Sequence, residues 1–240
     1  MNPMYEDQIM QTKEGIWVLK HDTHISRWVE QTQRLDHDQT VLQRLIPYIK
    51  EGTVVYDLGA AIGDHTTFYI NQVGAKGTVV AIEPHPIQFE CLKRNCPTAV
   101  CLPYLVGDAR SEQIWLFHEP DCIGGSRVID PARQWPMTSH RRITIDQDCS
   151  LAGHVSFMKI DIEGCEPEAL RGAHHTIWQN RPVIWLEINP TALERQGHSA
   201  SELQDVLENQ LQYRVAEFYP PGGGWHGFGD GQCDALFVPK

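Results

Sequence analysis

Acidic side chains fall in or directly after short β-branched runs at Asp57, Glu83, Asp161, Glu163 and Glu187. Carboxylates set at strand ends can accept hydroxyl hydrogens, balance a cation or take up a proton. Asp57 opens the segment Asp57-Leu-Gly-Ala-Ala-Ile-Gly63, spaced D-x-G-x-x-x-G, and Asp64 and His65 follow it. In such a turn Gly59, with Ala60 beside it, lets the backbone bend tightly and approach a ligand, and Gly63 lets the next helix start close to the sheet. The helix start behind it offers free amides to a carboxylate. Glu83 stands 20 residues after Gly63, a spacing that suits a carboxylate accepting from both ribose hydroxyls of an adenosine. The three-glycine spacing of dinucleotide enzymes, G-x-G-x-x-G, is not the one found here.

These residues need a scaffold that brings strand ends together. From residue 53 onward, apolar β-branched runs alternate with amphipathic stretches, the βαβ pattern of a parallel sheet covered on both faces. Strands are predicted at 53–58, 78–83, 100–106, 155–161 and 182–188, with helices at 64–73, 87–95 and 166–179 between them. A hairpin-like strand at 112–117 interrupts the rhythm, and 121–134 reads as irregular. The tail should form a helix at 199–211 and strands at 213–219 and 235–239, joined by a loop at 220–231 that is rich in glycine. Residues 1–50 read as an N-terminal extension packed on a core domain of residues 51–240. Within the extension, Val41, Leu42, Leu45, Ile46 and Ile49 share a helical face that Pro47 should cut short.

Charge narrows the partners. With 31 acidic and 20 basic residues in 240, the net charge of -11 works against binding a polyanion, so nucleic acid is not expected. No apolar run approaches the roughly 20 residues that a membrane helix requires, and the acidic N-terminus is unlike a signal peptide. A cytoplasmic protein is expected, its seven cysteines reduced, since Cys91, Cys96 and Cys101 lack the spacing of zinc or redox pairs.

Three segments carry a resemblance: residues 55–66 around the glycine turn, 83–95 from Glu83 to Asn95, and Met158-Lys-Ile-Asp-Ile-Glu-Gly-Cys165 with its continuation to Ala173. Together with Thr144-Ile-Asp146 and Val183-Ile-Trp-Leu-Glu187, they resemble the FkbM family of methyltransferases, from about residue 50 to the end. Ala61 departs from the pattern, since the family usually has asparagine there. The resemblance implies the class I fold, a doubly wound, mostly parallel seven-stranded α/β sheet with a terminal antiparallel strand. It implies S-adenosylmethionine as cofactor, held by Asp57, Gly59, Ala60, Gly63, His65 and Glu83. It also implies methylation of a hydroxyl on a sugar, glycan or natural-product small molecule. Such enzymes often place an acid after the third strand to receive the adenine amino group, and Asp108 is the candidate, although a turn-capping aspartate fits the same position. A non-catalytic S-adenosylmethionine-binding module and a nicotinamide-dependent dehydrogenase are the competing classes. The Asp/Asn-Pro-Pro-Tyr/Phe motif of adenine-directed nucleic-acid methyltransferases is replaced by Asp161-Ile-Glu-Gly164.

If the cofactor covers the first two strands, the acceptor should lie over the fourth and fifth. Asp161, Glu163 and His65 are the candidates for removing the hydroxyl proton, while turn capping, helix-amide capping and packing are their respective plain alternatives. Glu187, Trp225 and His226 are candidates for holding the acceptor, the last two from the glycine-rich loop, which also contains Phe228. Lys159, a cation inside an apolar strand, should pair with a neighbouring carboxylate. No metal is expected, with Mg²⁺ on Asp161 and Glu187 as the minor alternative. The sequence sets no oligomeric state.

Overall fold

The computed structural model describes residues 3–36, 38–117, 127–128, 137–149, 151–227 and 231–240. A 3₁₀ helix at Pro3–Gln8 leads into a hairpin of β1 (Ile9–Gln11) and β2 (Trp17–Leu19), followed by α1 (Ile25–Thr32) and α2 (Gln39–Leu45). Helix α2 gives way to a 3₁₀ turn at Ile46–Tyr48, where Pro47 has no amide to continue the ladder. Then β3 (Val54–Leu58), α3 (Thr66–Val73), β4 (Thr78–Ile82), α4 (Pro86–Asn95) and β5 (Val100–Leu102) run in strict alternation. A side sheet follows from β6 (Leu105–Val106), β7 (Ser111–Phe117), β8 (Arg127–Val128) and β9 (Met137–Ile143), in the order β6-β9-β7-β8.

After α5 (Ile145–Asp148) the chain returns to the main sheet as β10 (Val155–Ile160). Helices α6 (Glu166–Gly172) and α7 (His174–Asn180) lead to β11 (Val183–Ile188). Helices α8 (Pro190–Arg195) and α9 (Ala200–Asp205) precede the last strands, β12 (Tyr213–Tyr219) and β13 (Cys233–Pro239). The main sheet has seven strands in the order β12-β13-β11-β10-β3-β4-β5. β13 alone runs opposite to the other six. This is the doubly wound α/β sheet expected, and its order reverses between β3 and β10, where such sheets open a ligand crevice at their carboxyl ends.

Strands β3 and β10 are buried along their whole length, as apolar runs covered on both faces must be. One face packs Val55, Val79, Phe157 and Trp185 against Tyr69 and Val73 of α3 and Val41, Leu42 and Leu45 of α2. The other packs Tyr56, Leu58, Met158, Ile160 and Leu186 against Leu170, Ile177, Leu193 and Leu203 of the following helices.

The structure differs from the sequence-based elements in three places. The strand expected at 100–106 breaks at Pro103, which has no amide for the ladder, and β6 pairs instead with β9. The helix expected at 166–179 divides at Gly172 and Ala173. A side-chain carbon on Gly172 would stand 1.9 Å from the Gly107 carbonyl oxygen, so a glycine is required for that approach. The helix expected at 199–211 ends in a wide π turn at Val206–Gln210. The expected irregular segment 121–134 lies mostly outside the described residues. Among the described residues no helix is long and apolar enough to cross a membrane, and the six described cysteines are free.

The β1–β2 hairpin packs Val18 and Leu19 on Ile62 and Cys91, and Asn95 ties it to the core by hydrogen bonds. Asn95 accepts from the Trp17 amide at 2.8 Å and donates to the carbonyls of Trp17 and Ile62 at 2.9 and 2.8 Å. The Arg94 guanidinium lies 4.2 Å from the Trp17 ring centre. Asn95→Ala is expected to cost about 2 kcal/mol by urea titration, because three hydrogen bonds go and partly buried backbone groups lose their partner. Amide exchange in β2 should rise in the same variant.

Candidate active site

The turn after β3 is built against two neighbours. The amides of Gly59 and Ala60 both donate to the Ile82 carbonyl at the end of β4, at 3.0 and 3.1 Å. Gly59 has φ +80, and a side-chain carbon there would lie 1.8 Å from the Asp161 carbonyl oxygen. Gly63, at φ +94, would meet Cys96 Sγ at 2.5 Å and Leu92 Cδ1 at 3.1 Å. The two glycines therefore bring the turn onto the end of β10 and onto α4. For Gly63 this contact with α4 replaces the expected approach of helix to sheet.

Glu83 follows β4 and faces the turn. Its Oε2 accepts from the Ala61 amide at 2.9 Å and its Oε1 from the His85 amide at 2.7 Å. Ala61 has φ +46, a left-handed conformation that asparagine tolerates better than alanine. Burial pushes the Glu83 carboxyl up to about 7, against the pull of these amides. Both oxygens are thus fixed in direction while the carboxylate still lines the cleft.

Behind the turn, Asp57 is wholly buried and accepts from Thr66 Oγ1 at 2.6 Å. Lys159 stands beside it in register on β10. The Lys159 Nζ lies 3.2 Å from Asp161 Oδ2 and 3.9 Å from Asp57 Oδ1, and donates to the Gly59 carbonyl at 3.1 Å. Burial alone would pull this ammonium down, but Asp161 and Asp57 outweigh it and hold it above its ordinary value. Burial raises the Asp57 carboxyl, with Lys159 opposing.

These groups border a cleft of about 510 Å³. Gly59, His65, Glu83, Asp161, Glu163 and Glu187 all line it, so six of the sequence-derived site residues meet in one place. Asp57, Ala60 and Gly63 support the turn from behind and are not on the wall. Glu163 sits at φ +57 in the turn after β10. The amide-capping role in that turn belongs to Glu166, which accepts from the amides of Ile162 and Gly164, each at 3.1 Å.

Three expected residues lie elsewhere. Asp108 is exposed at the end of β6, turned toward Arg171 Nε at 3.4 Å, because the break at Pro103 carries it off the main sheet. The cleft wall there consists of Tyr104, Leu105 and Val106 instead. Trp225 packs on Phe237 and Phe218, with ring centres 5.5 and 6.4 Å away, as part of the core cover. His226 is exposed and does not line the cleft. Phe228 lies outside the described residues.

Sequence reading missed Asp234, which lies directly across from Glu187 where β13 pairs with β11. An acid amid the apolar Cys233–Pro239 run was the available signal. It also missed His24, Ile25 and Asp38, which bring the first 50 residues to the cleft. Thr144 and Asp146 have a framework role: Thr144 caps α5, and Asp146 accepts from the amides of His175 and Thr176 at 2.8 and 2.9 Å.

Five buried side-chain atoms lack a hydrogen-bond partner among the described residues: Asp57 Oδ1, His65 Nδ1 and Nε2, Tyr69 Oη and Glu187 Oε2. His65 and Glu187 line the cleft, and Tyr69 is within ring contact of His65, 6.4 Å between centres. Unpartnered polar atoms are rare in a folded interior and gather where a ligand completes them. No group of three or more His, Cys, Asp or Glu side chains suited to a metal occurs among the described residues.

The carboxyls around the cleft carry a pH signature. Burial holds Glu83, Glu166 and Asp234 up to about 7 and Glu187 up to about 10. An acid whose folded value is raised binds its proton more tightly in the folded state, so stability falls as pH rises from the unfolded value to the folded one. Acids with lowered values, such as Asp148 and Glu202, act below that range. The ligand-free protein is therefore expected to lose thermal stability steadily between about pH 5 and pH 8, as read by calorimetry.

A family model described as the methyltransferase FkbM domain matches residues 57–215. The hexuronic acid methyltransferase AglP of Haloferax volcanii is 28% identical over 152 residues, which cover 61% of this chain and 61% of that protein. Among solved structures, methyltransferase FkbM from Methylobacillus flagellatus KT superposes with a TM-score of 0.51 at 18% identity, over 78% of this chain and 44% of that one. A chain of the fibrillarin/Nop5p complex does so with a TM-score of 0.51 at 11% identity, over 97% of this chain and 98% of that one. The two structural likenesses speak to the fold. The matches span about three fifths of AglP and under half of the Methylobacillus protein.

Proposed function

We propose, from the premise that this chain belongs to the FkbM methyltransferase family, that it methylates a hydroxyl of a sugar, glycan or natural-product acceptor with S-adenosylmethionine as cofactor. In this reading residues 51–240 are the methyltransferase domain and residues 1–50 an extension that helps to wall its cleft. The observation that carries it is Glu83: a buried carboxylate, aimed by two backbone amides, faces the Gly59–Gly63 turn at the carboxyl end of β4.

The residues present fit the cofactor. Glu83 is oriented to accept ribose hydroxyls, the wall at Tyr104, Leu105 and Val106 offers the flat apolar contact an adenine needs, and Asp161 stands where a positive charge would be balanced. When bound, S-adenosylmethionine supplies an electrophilic methyl group. The protein's part is to exclude water, to aim the acceptor oxygen and to take its proton.

For the proton, His65 has the strongest claim. Its two ring nitrogens are buried on the cleft wall without a hydrogen bond among the described residues, with Asp64 Oδ2 3.8 Å from Nε2, so a ligand hydroxyl is a natural partner for one of them. Asp161 is committed to Lys159 and serves better to balance charge. His65→Ala is expected to lower kcat by about 100-fold while changing S-adenosylmethionine affinity less than threefold, the separation that marks a base rather than a cofactor contact.

The direct test is incubation of the pure protein with methyl-labelled S-adenosylmethionine and hydroxyl acceptors of graded size, followed by mass analysis. A methyl ether that survives mild base supports the proposal. A methyl product that mild base hydrolyses would mark a carboxyl acceptor and overturn the hydroxyl assignment. Cofactor binding without transfer to any acceptor would leave a binding module.

A further inference from the structure

The far wall of the cleft holds two carboxylates that the transfer step does not use. Glu187 on β11 and Asp234 on β13 are register partners across an antiparallel pair, so their side chains leave the same face of the sheet side by side. Glu187 is 7% exposed, and its Oε2 has no hydrogen-bond partner although it lines the cleft. Like charges directly opposite one another destabilise a sheet, and a buried carboxylate without a partner costs more still. A fold retains such a pair only where something brings compensating charge.

That charge does not come from the described walls. Lys159 and Arg142 are the lysine and arginine among the described lining residues, and both are engaged: Lys159 with Asp161, and Arg142 with Glu168 at 2.6 Å. Asp38, Asp64 and Glu163 add further acids to the same lining. A metal ion would need a third suitably placed ligand, and no such group occurs among the described residues. An acceptor that brings its own cation would complete the pair.

Resting on the methyltransferase reading, we propose that the acceptor is an amine-bearing polyol, such as an amino sugar, whose ammonium is held between Glu187 and Asp234, and that acidic acceptors are refused. The site thereby departs from the acidic sugar named for the Haloferax relative. Burial and the neighbouring Asp161 push Glu187 and Asp234 upward, and at Asp234 the Lys159 ammonium opposes this only in part. An arriving ammonium would draw them back into the ionised form. The same wall offers a uronate carboxylate only further negative charge.

The test is calorimetric, on the full chain saturated with S-adenosylhomocysteine, so that binding is read apart from turnover. Three probes of the same ring are compared: methyl glucosaminide, methyl glucoside and methyl glucuronide. The amine is expected to bind at least tenfold more tightly than the neutral glycoside, and the glucuronide to show no binding heat. In the Glu187→Gln, Asp234→Asn double variant the amine preference should vanish while S-adenosylhomocysteine affinity stays within twofold. Asp234→Asn alone, the milder change, should halve the preference or more if the double variant fails to fold. Equal binding of amine and neutral glycosides, tighter binding of the glucuronide, or an amine preference that survives these substitutions overturns the proposal. Failure of S-adenosylhomocysteine itself to bind would instead overturn the methyltransferase reading beneath it.

Discussion

Gly59→Val is expected to unfold the protein at room temperature or to lower its stability by about 4 kcal/mol or more, a loss seen only when backbone geometry itself is violated. Two effects add. The residue holds φ +80, which a β-branched side chain adopts only with strain. The new carbon would also lie 1.8 Å from the Asp161 carbonyl oxygen, a backbone atom that can yield only by moving the end of β10. That movement would break the bond from the Asp161 amide to the Leu58 carbonyl, 3.1 Å long, and separate the two central strands at their ligand-binding ends. The sequence alone suggests a milder outcome, a folded protein that no longer binds. Far-UV circular dichroism with a thermal scan distinguishes the two: a parent-like melting curve would show that the turn has room the structure denies it.

Lys159→Met should be nearly as damaging. It leaves Asp57 wholly buried with the Thr66 hydrogen bond but without its ammonium, and removing one partner of a buried ion pair costs roughly 3 to 5 kcal/mol. The pH dependence identifies the cause. Without the ammonium, the Asp57 carboxyl rises further above its ordinary value, so the folded variant holds a proton that the unfolded chain gives up. The stability difference from the parent should therefore shrink as pH falls from about 8 toward about 5, because the folded variant takes up this proton while the unfolded chain, whose aspartate titrates near its ordinary value, does not. Urea titrations at the two pH values measure it. A difference that stays constant with pH would assign the loss to packing rather than to charge. Adding Asp57→Asn to the variant should recover part of the loss, because the unmatched charge is then gone.

The half of the cleft proposed for the cofactor could be assembled from the sequence because its parts are close together in the chain. Asp57, Gly59, Gly63 and Glu83 belong to one βαβ unit, so a turn, a helix start and a strand end suffice to place them. The central strands were legible for the same local reason, as apolar runs between glycine and proline. The half proposed for the acceptor could not be, because it is assembled from segments that meet only in the folded chain: Asp38 before the first central strand, Glu187 on β11, and Asp234 on the strand that returns antiparallel to it. Composition misled at the glycine-rich loop. Trp225 among glycines has the look of a sugar platform, yet its ring is used to cover Phe237, and sequence spacing does not distinguish the two. At Asp108 the fault was register, since one proline diverts the third strand into another sheet and takes the acid with it.

One wall of the cleft is made by His24, Ile25 and Asp38, which precede the residues that the family model matches. In the proposed reading, the acceptor side of the cleft thus draws on residues before the matched segment as well as on Glu187 within it and Asp234 after it. On that reading, changes before residue 50 would reshape the cleft without touching Asp57, Gly59, Gly63 or Glu83. Relatives that share the turn can thus diverge in substrate through the leading segment alone. Grafting the first 50 residues of one relative onto the sheet of another is the natural route to a transferase with a new acceptor and an old cofactor site.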